Sequence, residues 1–184
     1  MTEASIWRIL FAASAIVVIG VFLPIAAWRS WTRSQHAAAF APIALEMAEL
    51  VDDCRTASYP DFERGQELPS VSDRKAIVWW TESKTLADAH WLLPDEDRAD
   101  PGDESLAMVL VVNRESALVG KYGGKDDSPA FRQRADLCIV LWPERKLVGR
   151  TYVQSDPLPE RGVGPKHGDL DPPIARWVAS FVEN

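Results

Sequence analysis

One long apolar run dominates the hydrophobic pattern at the start of the chain. Residues 9–28 include no charged side chain. As a helix, such a run spans about 30 Å, the thickness of the hydrocarbon core of a bilayer. Tryptophans and arginines flank the run on both sides: Trp7, Arg8, Trp28, Arg29, Trp31 and Arg33. These residue types favour the membrane–water interface. The pattern predicts a transmembrane anchor with a short N-terminal tail over residues 1–33.

A cleaved signal peptide is the main alternative to a retained anchor. Ile25, Ala26 and Ala27 form an acceptable small-residue cleavage site. However, the apolar region of a secretory signal usually covers about 7 to 15 residues, and this run is longer. The basic region before it contains only Arg8 besides the terminal amine. A buried core helix is a poorer alternative because the run has no polar face. We therefore favour the single-pass anchor, with the lipid bilayer as its partner.

The charges around the anchor bear on which side of the membrane carries the rest of the chain. Arg29 and Arg33 outnumber Arg8, and this count favours a cytoplasmic C-terminal part by one charge. A short N-terminal tail before a single apolar segment is instead typical of a signal-anchor that exports its C-terminal domain. We expect an extracytoplasmic domain, on the basis of this general arrangement.

Residues 34–58 contain the periodicity of a juxtamembrane helix, predicted over residues 34–56. Its apolar positions recur at helical spacing: Ile43, Met47, Leu50, Val51 and Cys54. Pro42 marks either the first turn of this helix or a kink after the alanine-rich residues 37–41. We expect the apolar stripe to pack on a sheet in the C-terminal domain.

Residues 59–184 predict one small α+β domain. A polar loop over residues 59–73 precedes several strand patterns: 75–80, a weaker one at 90–93, then 106–112, 117–122, 134–142 and 146–154. Polar gaps at 113–116 and 143–145 predict two hairpins, because links this short join antiparallel neighbours. The sequence thus predicts an antiparallel sheet of four to five strands packed with two helices.

The distribution of apolar residues within these patterns predicts where the strands and the last helix lie. The strands at 106–112 and 134–142 are nearly continuous apolar runs, which indicates central strands covered on both faces. Residues 146–154 partly alternate and resemble an edge strand. A final helix is predicted over residues 173–182, after Asp171 as N-cap and Pro172. Two helices cover one face, which leaves the other to loops, a second copy or a partner protein.

The overall charge and the cysteines limit the classes of function. The formal net charge of -7 argues against nucleic acid as a partner, because phosphate recognition requires clustered Lys and Arg. The two cysteines, Cys54 and Cys138, lie in a predicted helix and a predicted strand. We favour two buried free thiols; a bridge between them is the alternative and would require an oxidising compartment.

The acidic loop of residues 95–104 is the first candidate for a metal site. Asp95 and Asp97 stand at positions one and three of an EF-hand calcium loop. The remaining positions depart from that pattern, since Ala99, Asp100 and Leu106 replace the ligand, the glycine and the closing glutamate. We therefore predict a solvated loop and no metal ligands.

Two glycine-rich segments resemble phosphate-binding motifs without satisfying them. Residues 120–125 have three residues between glycines where the P-loop has four, and Asp126 follows Lys125 in place of Ser or Thr. Gly162-Val163-Gly164 has no predicted strand before it and no helix directly after it, as a dinucleotide fingerprint requires. We predict no cofactor-binding residues.

The histidines offer no complete catalytic arrangement. His36 borders the anchor, His90 begins a weak strand, and His167 lies near Asp169 in a loop rich in Gly and Pro. A His–Asp pair needs a nucleophile, and neither Ser128 nor Ser155 lies in a nucleophile motif. We predict no catalytic residues.

The sequence therefore favours a single-pass membrane-anchored protein whose domain is a non-catalytic interaction or structural module of a membrane-associated assembly. Its expected partners are the bilayer and either another protein or a second copy bound through the sheet. The alternative is a membrane-tethered enzyme of unrecognised type, for example a hydrolase with residues assembled from distant loops.

Overall fold

The structure is a computed structural model that describes five stretches of the chain: residues 22–47, 50–52, 74–121, 129–157 and 168–182. The chain divides into two compact units, Met1–Phe40 and Ala41–Asn184. The second unit has an α+β fold built on a five-stranded mixed sheet.

Two α-helices, five strands and one 3₁₀ helix make up the elements of the described residues. In chain order they are α1 (Leu23–Glu46), β1 (Lys75–Trp80), β2 (Thr85–Leu86), the 3₁₀ helix (Asp88–Leu92), β3 (Leu106–Lys121), β4 (Pro129–Trp142), β5 (Lys146–Gln154) and α2 (Asp171–Val182).

Helix α1 begins before the helix that the sequence predicted at 34–56. It runs through Pro42, which therefore marks neither the first turn nor the start of the helix. Because proline has no N–H, the carbonyl of Ala38 loses its helical hydrogen bond there. Residues 50–52 are also helical, and 53–58 lie outside the described residues.

The anchor predicted at residues 9–28 lies mostly outside the described residues. Among the helices of the described stretches, α1 included, none is long and apolar enough to cross a membrane. The anchor therefore stays a prediction.

The sheet has the strand order β2-β1-β3-β4-β5. Strands β3, β4 and β5 follow one another as antiparallel neighbours, and β5 lies at the edge as predicted. The hairpin predicted at residues 143–145 is confirmed, since Leu141 and Lys146 pair directly on either side of it.

The expectation of a wholly antiparallel sheet is wrong for the pair formed by β1 and β3. These strands run parallel, in register from Lys75 opposite Leu106 to Trp80 opposite Val111. Parallel neighbours need a long crossover, and residues 81–105 provide one that contains β2 and the 3₁₀ helix. Short polar links predict antiparallel neighbours only for the strands that they join directly, and β1 and β3 are not joined by such a link.

The hairpin predicted at residues 113–116 is also wrong, because β3 continues straight through them. Asn113 pairs with Asp136 and Ser116 with Gln133 on the neighbouring strand β4. Residues 113–120 are all exposed, so the polar stretch marks the point where the strand leaves the core. The chain reverses between Lys121 and its partner Pro129.

The weak strand predicted at residues 90–93 is instead part of the 3₁₀ helix Asp88–Leu92. His90 is buried there while Leu92 is exposed. A run of four residues is too short for its periodicity to distinguish a strand from a helical turn.

One face of the sheet packs against α2. The side chains of this core come from the strands, the 3₁₀ helix and α2, and they include Val78, Ala89, Val109, Val111, Leu137, Ile139, Leu170, Ile174, Val178 and Phe181. Trp177, partly buried against this core, stacks on Phe181 with ring centroids 5.4 Å apart.

The opposite face of the central strands is buried as well, as their continuous apolar sequences predicted. Its buried side chains alternate along the strands with those of the first core: Ile77, Trp79, Leu106, Met108, Leu110, Cys138 and Val140. Met47 and Val51 are buried too, and Val51 lines a cavity together with Trp79 and Leu110. Residues 41–47 and 50–52 thus supply a cover for this face.

Helix α2 begins at Asp171, two residues before the predicted start at Pro173. The Asp171 N–H donates to Asp169 Oδ1 at 3.1 Å, and Ile174 N–H donates to the Leu170 carbonyl at 3.0 Å. The Asp171 carboxylate accepts a hydrogen bond of 2.9 Å from the Ala89 N–H. The residue predicted to cap α2 therefore joins α2 to the 3₁₀ helix.

The expectation of two free thiols is wrong for Cys138. This residue is fully buried on β4 and is disulfide-bonded. The only other cysteine of the chain, Cys54, lies outside the described residues.

Two leucines on neighbouring strands test where the core ends. Leu137 on β4 is fully buried, whereas Leu118 on β3 is 62% exposed. We expect Leu137→Ala to lower the free energy of unfolding by about 2–5 kcal/mol, because it leaves a cavity in the core. Leu118→Ala should change it by less than about 0.5 kcal/mol. Chemical unfolding of the full chain measures both, and equal losses would contradict the arrangement of the two faces.

Candidate functional site

Three carboxylates of the acidic loop, those of Asp95, Asp100 and Asp103, lie in ion pairs. Arg98 forms an ion pair with Asp95, and Lys75 Nζ lies 3.6 Å from Asp103 Oδ2 and 4.0 Å from Asp100 Oδ2. The Asp100 N–H also donates to Asp103 Oδ2 at 2.8 Å. Over the described stretches, no three His, Cys, Asp or Glu side chains are grouped so that they could hold a metal ion.

The two glycine-rich segments fall mostly outside the described residues. Gly120 and Lys121 end β3, while 122–125 and Gly162 to Gly164 are not described. A Cβ added at Gly120 would meet no atom within 4 Å. No close contact with another part of the described fold therefore requires a glycine at this position.

The structure describes one candidate serine, Ser155, and two of the histidines, His36 and His90. His36 lies in α1, and the buried His90 packs edge-on against Trp91 with ring centroids 5.0 Å apart. His167 and Ser128 lie outside the described residues.

Ser155 is buried, and its hydroxyl forms a hydrogen bond with the backbone of the neighbouring strand β4. Its Oγ accepts a hydrogen bond of 3.1 Å from the Gln133 N–H, and its own N–H donates to the Gln133 carbonyl at 2.8 Å. Gly168 lies so close to Ser155 that an added Cβ would stand 2.2 Å from Oγ. A nucleophile needs an accessible oxygen, and Ser155 is only 3% exposed.

Asp136 is a buried carboxylate with both oxygens occupied. Arg134 Nη2 lies 3.1 Å from Oδ1 and Arg150 Nη2 lies 2.9 Å from Oδ2. The Arg134 guanidinium also lies over the Tyr152 ring, 4.2 Å from its centroid. These contacts join β4 to the edge strand β5, so the group acts in holding the sheet together.

Asp171 is a carboxyl group whose ionisation the fold disfavours. Burial raises its pKa above the usual value, and the nearby Asp169 and Asp88 carboxylates add to the rise. The hydrogen bond from Ala89 and the charge of Arg114 act in the opposite direction. Groups with shifted pKa values gather at functional sites, but burial at a structural position shifts them too, and Asp171 is partly buried where α2 meets the 3₁₀ helix.

A cavity of about 400 Å³ beside strand β1 is the candidate binding site. We call it the β1 cavity, and its lining residues are Ala41, Ala44, Leu45, Val51, Asp52, Trp79, Thr81, Lys84 and Leu110. Its volume falls in the range of about 300–1,000 Å³ that small-molecule sites occupy. Such sites combine an apolar lining with a few polar groups, and the β1 cavity has this composition.

The apolar part of the β1 cavity belongs to the second face of the sheet. Trp79 and Leu110, the neighbours on β1 and β3, are 4% and 1% exposed. Ala41, Ala44 and Leu45 stand opposite, on one side of the last turns of α1, since helical residues three and four apart share a face.

Three polar residues complete the lining of the β1 cavity. The Thr81 hydroxyl donates to the Val111 carbonyl at 2.9 Å. Lys84 ends the turn after β1 with φ 54°, and among the described residues it has no hydrogen bond or ion pair. Asp52 already has an interaction partner.

Sequence reasoning missed the β1 cavity. The predicted stripe of apolar residues over 34–56 indicated that this segment packs on the sheet, and Met47 and Val51 are indeed buried. The signal for a cavity was the pair of small residues Ala41 and Ala44 in that segment. Its meaning depends on the large Trp79 opposite, which only the tertiary fold brings there.

Comparisons with known proteins assign no family to the chain: no family model, no curated protein and no solved structure matches it.

Asp171 provides a test of its structural role. We expect Asp171→Ala to lower the free energy of unfolding by about 1 kcal/mol at pH 7, because the Ala89 N–H loses its acceptor. Asp171→Asn retains an acceptor oxygen and should lose less. Since the folded-state pKa is raised, ionisation costs stability above the unfolded-state pKa, and that cost disappears as pH falls through the raised pKa.

The stability of the wild type relative to Asp171→Asn should therefore increase on acidification. Unfolding measured from neutral to acidic pH gives this difference directly. A difference that moves the other way would show that the ionised form of Asp171 stabilises the fold.

Proposed function

We propose that the chain is a membrane-tethered, non-catalytic interaction domain on the extracytoplasmic side of the membrane. One observation supports the membrane anchor most directly. The large apolar side chains at the start of the described helix are exposed: Phe22, Leu23, Ile25, Trp28 and Trp31. All of them except Trp31 belong to the uncharged run of residues 9–28. Contiguous exposed apolar surface marks an interaction site, and a bilayer removes it from water.

The aromatic residues at the end of this run support the same proposal. Trp28 and Trp31 pack with ring centroids 5.2 Å apart, and both are more than half exposed. Arg29 and Arg33 alternate with them along the helix. Tryptophan pairs next to arginines are typical of the headgroup region, where the indole has apolar and polar surroundings at once.

The disulfide at Cys138 supports the extracytoplasmic side. Disulfides form and persist in oxidising compartments and are rare where glutathione and thioredoxin keep thiols reduced. Since Cys138 is fully buried in the central strand β4, its bridge belongs to the folded core. This argument is independent of the arginine count around the anchor.

The engagement of the polar candidates supports a non-catalytic domain. Ser155, Asp136 and Asp171 each use their side-chain oxygens in contacts within the fold. The alternative of a tethered hydrolase needs a nucleophile or an activated water at an accessible position. No observation on the described residues favours that alternative.

The outer half of β3 offers the surface for an interaction through the sheet. Residues 113–120 are exposed, and β1 covers β3 only as far as Val111. Beyond this point one edge of β3 has no neighbouring strand among the described elements. Leu118 and Val119 are exposed there. An open strand edge with apolar side chains binds a partner by addition of a further strand.

Fractionation of the native protein tests the tether. We expect the chain to stay with membranes after washing with high salt, to need detergent for release, and to retain residues 9–28. If the domain is exported, alkylation after denaturation without reduction should modify no cysteine. Recovery from the salt-washed soluble fraction, or a mature N terminus at Trp28, would contradict the anchor.

A photoreactive residue tests the interaction surface. Placed at Leu118, on the open edge, it should crosslink the chain to one discrete partner or to a second copy in intact membranes. Leu92 is the matched control because it is similarly exposed on the 3₁₀ helix, away from that edge. Mass spectrometry identifies the product. A lack of adducts at Leu118, or the same adducts from both positions, would contradict the assignment.

A further inference from the structure

We propose that the β1 cavity binds a single-tailed anionic amphiphile, a medium-chain carboxylate whose tail lies against Trp79 and Leu110 and whose carboxylate pairs with Lys84. This proposal rests on the cavity and does not depend on the membrane tether. Free carboxylates in solution and carboxylates released from lipids share this chemistry.

The floor of the cavity favours an apolar tail. Trp79 and Leu110 line a space of about 400 Å³ together with four further apolar residues, Ala41, Ala44, Leu45 and Val51. Filling such a space with an alkyl chain is favourable by about 25 cal/mol per Å² of apolar surface buried. At about 30 Å³ for each water-sized group, the space accommodates about a dozen non-hydrogen atoms. A chain of ten carbons with its carboxylate has this size.

The helical wall explains why the space exists. Ala41 and Ala44 end at Cβ, and they face the cavity from the last turns of α1. Larger side chains at these two positions would occupy the space that the tail needs. Leu45 and Val51 border the same space with branched apolar groups.

The polar groups of the lining select the charge of the ligand. The Thr81 hydroxyl already donates its proton to the Val111 carbonyl, so it offers only an acceptor to a ligand. Asp52, the anionic residue of the lining, already has an interaction partner. Lys84 is the lining cation without a hydrogen bond or ion pair among the described residues, and its ammonium provides three donors. A carboxylate is the group that satisfies it.

The backbone of Lys84 adds a second argument. Its φ of 54° lies in the left-handed region, where glycine and asparagine are more readily accommodated than lysine. A lysine is therefore not the residue that this turn alone favours. A lysine that lines a cavity from a backbone conformation more readily adopted by other residues points to a role for its charge.

The test uses the full-length chain in phosphatidylcholine nanodiscs, or in buffer if it is recovered without detergent. The probes are decanoic acid with a diazirine in its tail, the corresponding decanol, and the corresponding decyltrimethylammonium. After irradiation, mass spectrometry locates the modified residues. The concentration of unlabelled decanoate that halves the labelling measures the affinity.

We expect the decanoate probe to modify residues 41–52, Trp79 or Leu110, more than either other probe does. Ala44→Phe should lower this labelling at least tenfold, because the ring fills the space. Lys84→Asn keeps the turn conformation. It should weaken the binding of decanoate by about 2- to 5-fold, as expected for the loss of an exposed ion pair, and leave the binding of decanol unchanged. Lys84→Arg should restore binding, and Lys146→Asn on β5 is the matched control.

Several results would overturn the proposal. Labelling that is spread over the sheet, or that persists in Ala44→Phe, would show that the tail does not occupy the cavity. If Ala44→Phe fails to fold, the Lys84→Asn variant still tests the proposal, because an exposed lysine contributes little to folding. Equal binding of the three probes, or preference for the ammonium, would exclude selection by Lys84. A further arm supplies the diazirine-labelled decanoyl chain as a lipid in the nanodisc, and labelling by this lipid but not by free decanoate would show that the cavity does not bind the free carboxylate.

Discussion

Burial of both faces of the central strands is the constraint on which the rest of the fold depends. Strands β1, β3 and β4 place apolar side chains alternately on two sides, so a single layer of helix cannot cover them. Helix α2 covers one side, and residues 41–47 and 50–52 supply a cover for the other. The two covers differ: the α2 face is a continuous core, while the other contains the β1 cavity because alanines stand opposite Trp79.

This arrangement separates three roles within one small domain. The inner half of β3 is core, and its outer half is an exposed edge available for strand addition. The cover made by residues 41–52 is the part that leaves space for a small molecule. The polar groups with the most distinctive surroundings, Asp136 and Asp171, join elements to one another. These polar contacts add to the stability that apolar burial provides, and we propose that recognition uses the apolar surfaces that the fold leaves incompletely covered.

The sequence predicted the elements whose signals are local. The apolar run of β1, the alternation of β5, the turn at residues 143–145 and the stripe of α2 are all properties of short windows. The parallel pairing of β1 with β3 escapes such windows because pairing is set by tertiary contacts across a long crossover. The polar residues 113–116 resemble a turn because a strand that leaves the core loses its apolar side chains just as a turn does.

Hydrogen exchange of the folded full-length chain tests the central claim most directly. If both faces of the inner strands are covered, amides of residues 107–111 in β3 and of 76–79 in β1 should exchange only through global unfolding. Amides of residues 113–120, on the same strand β3, should exchange through local opening at much lower free energy. Uniform exchange along the whole of β3, or fast exchange in its inner half, would contradict the doubly covered sheet.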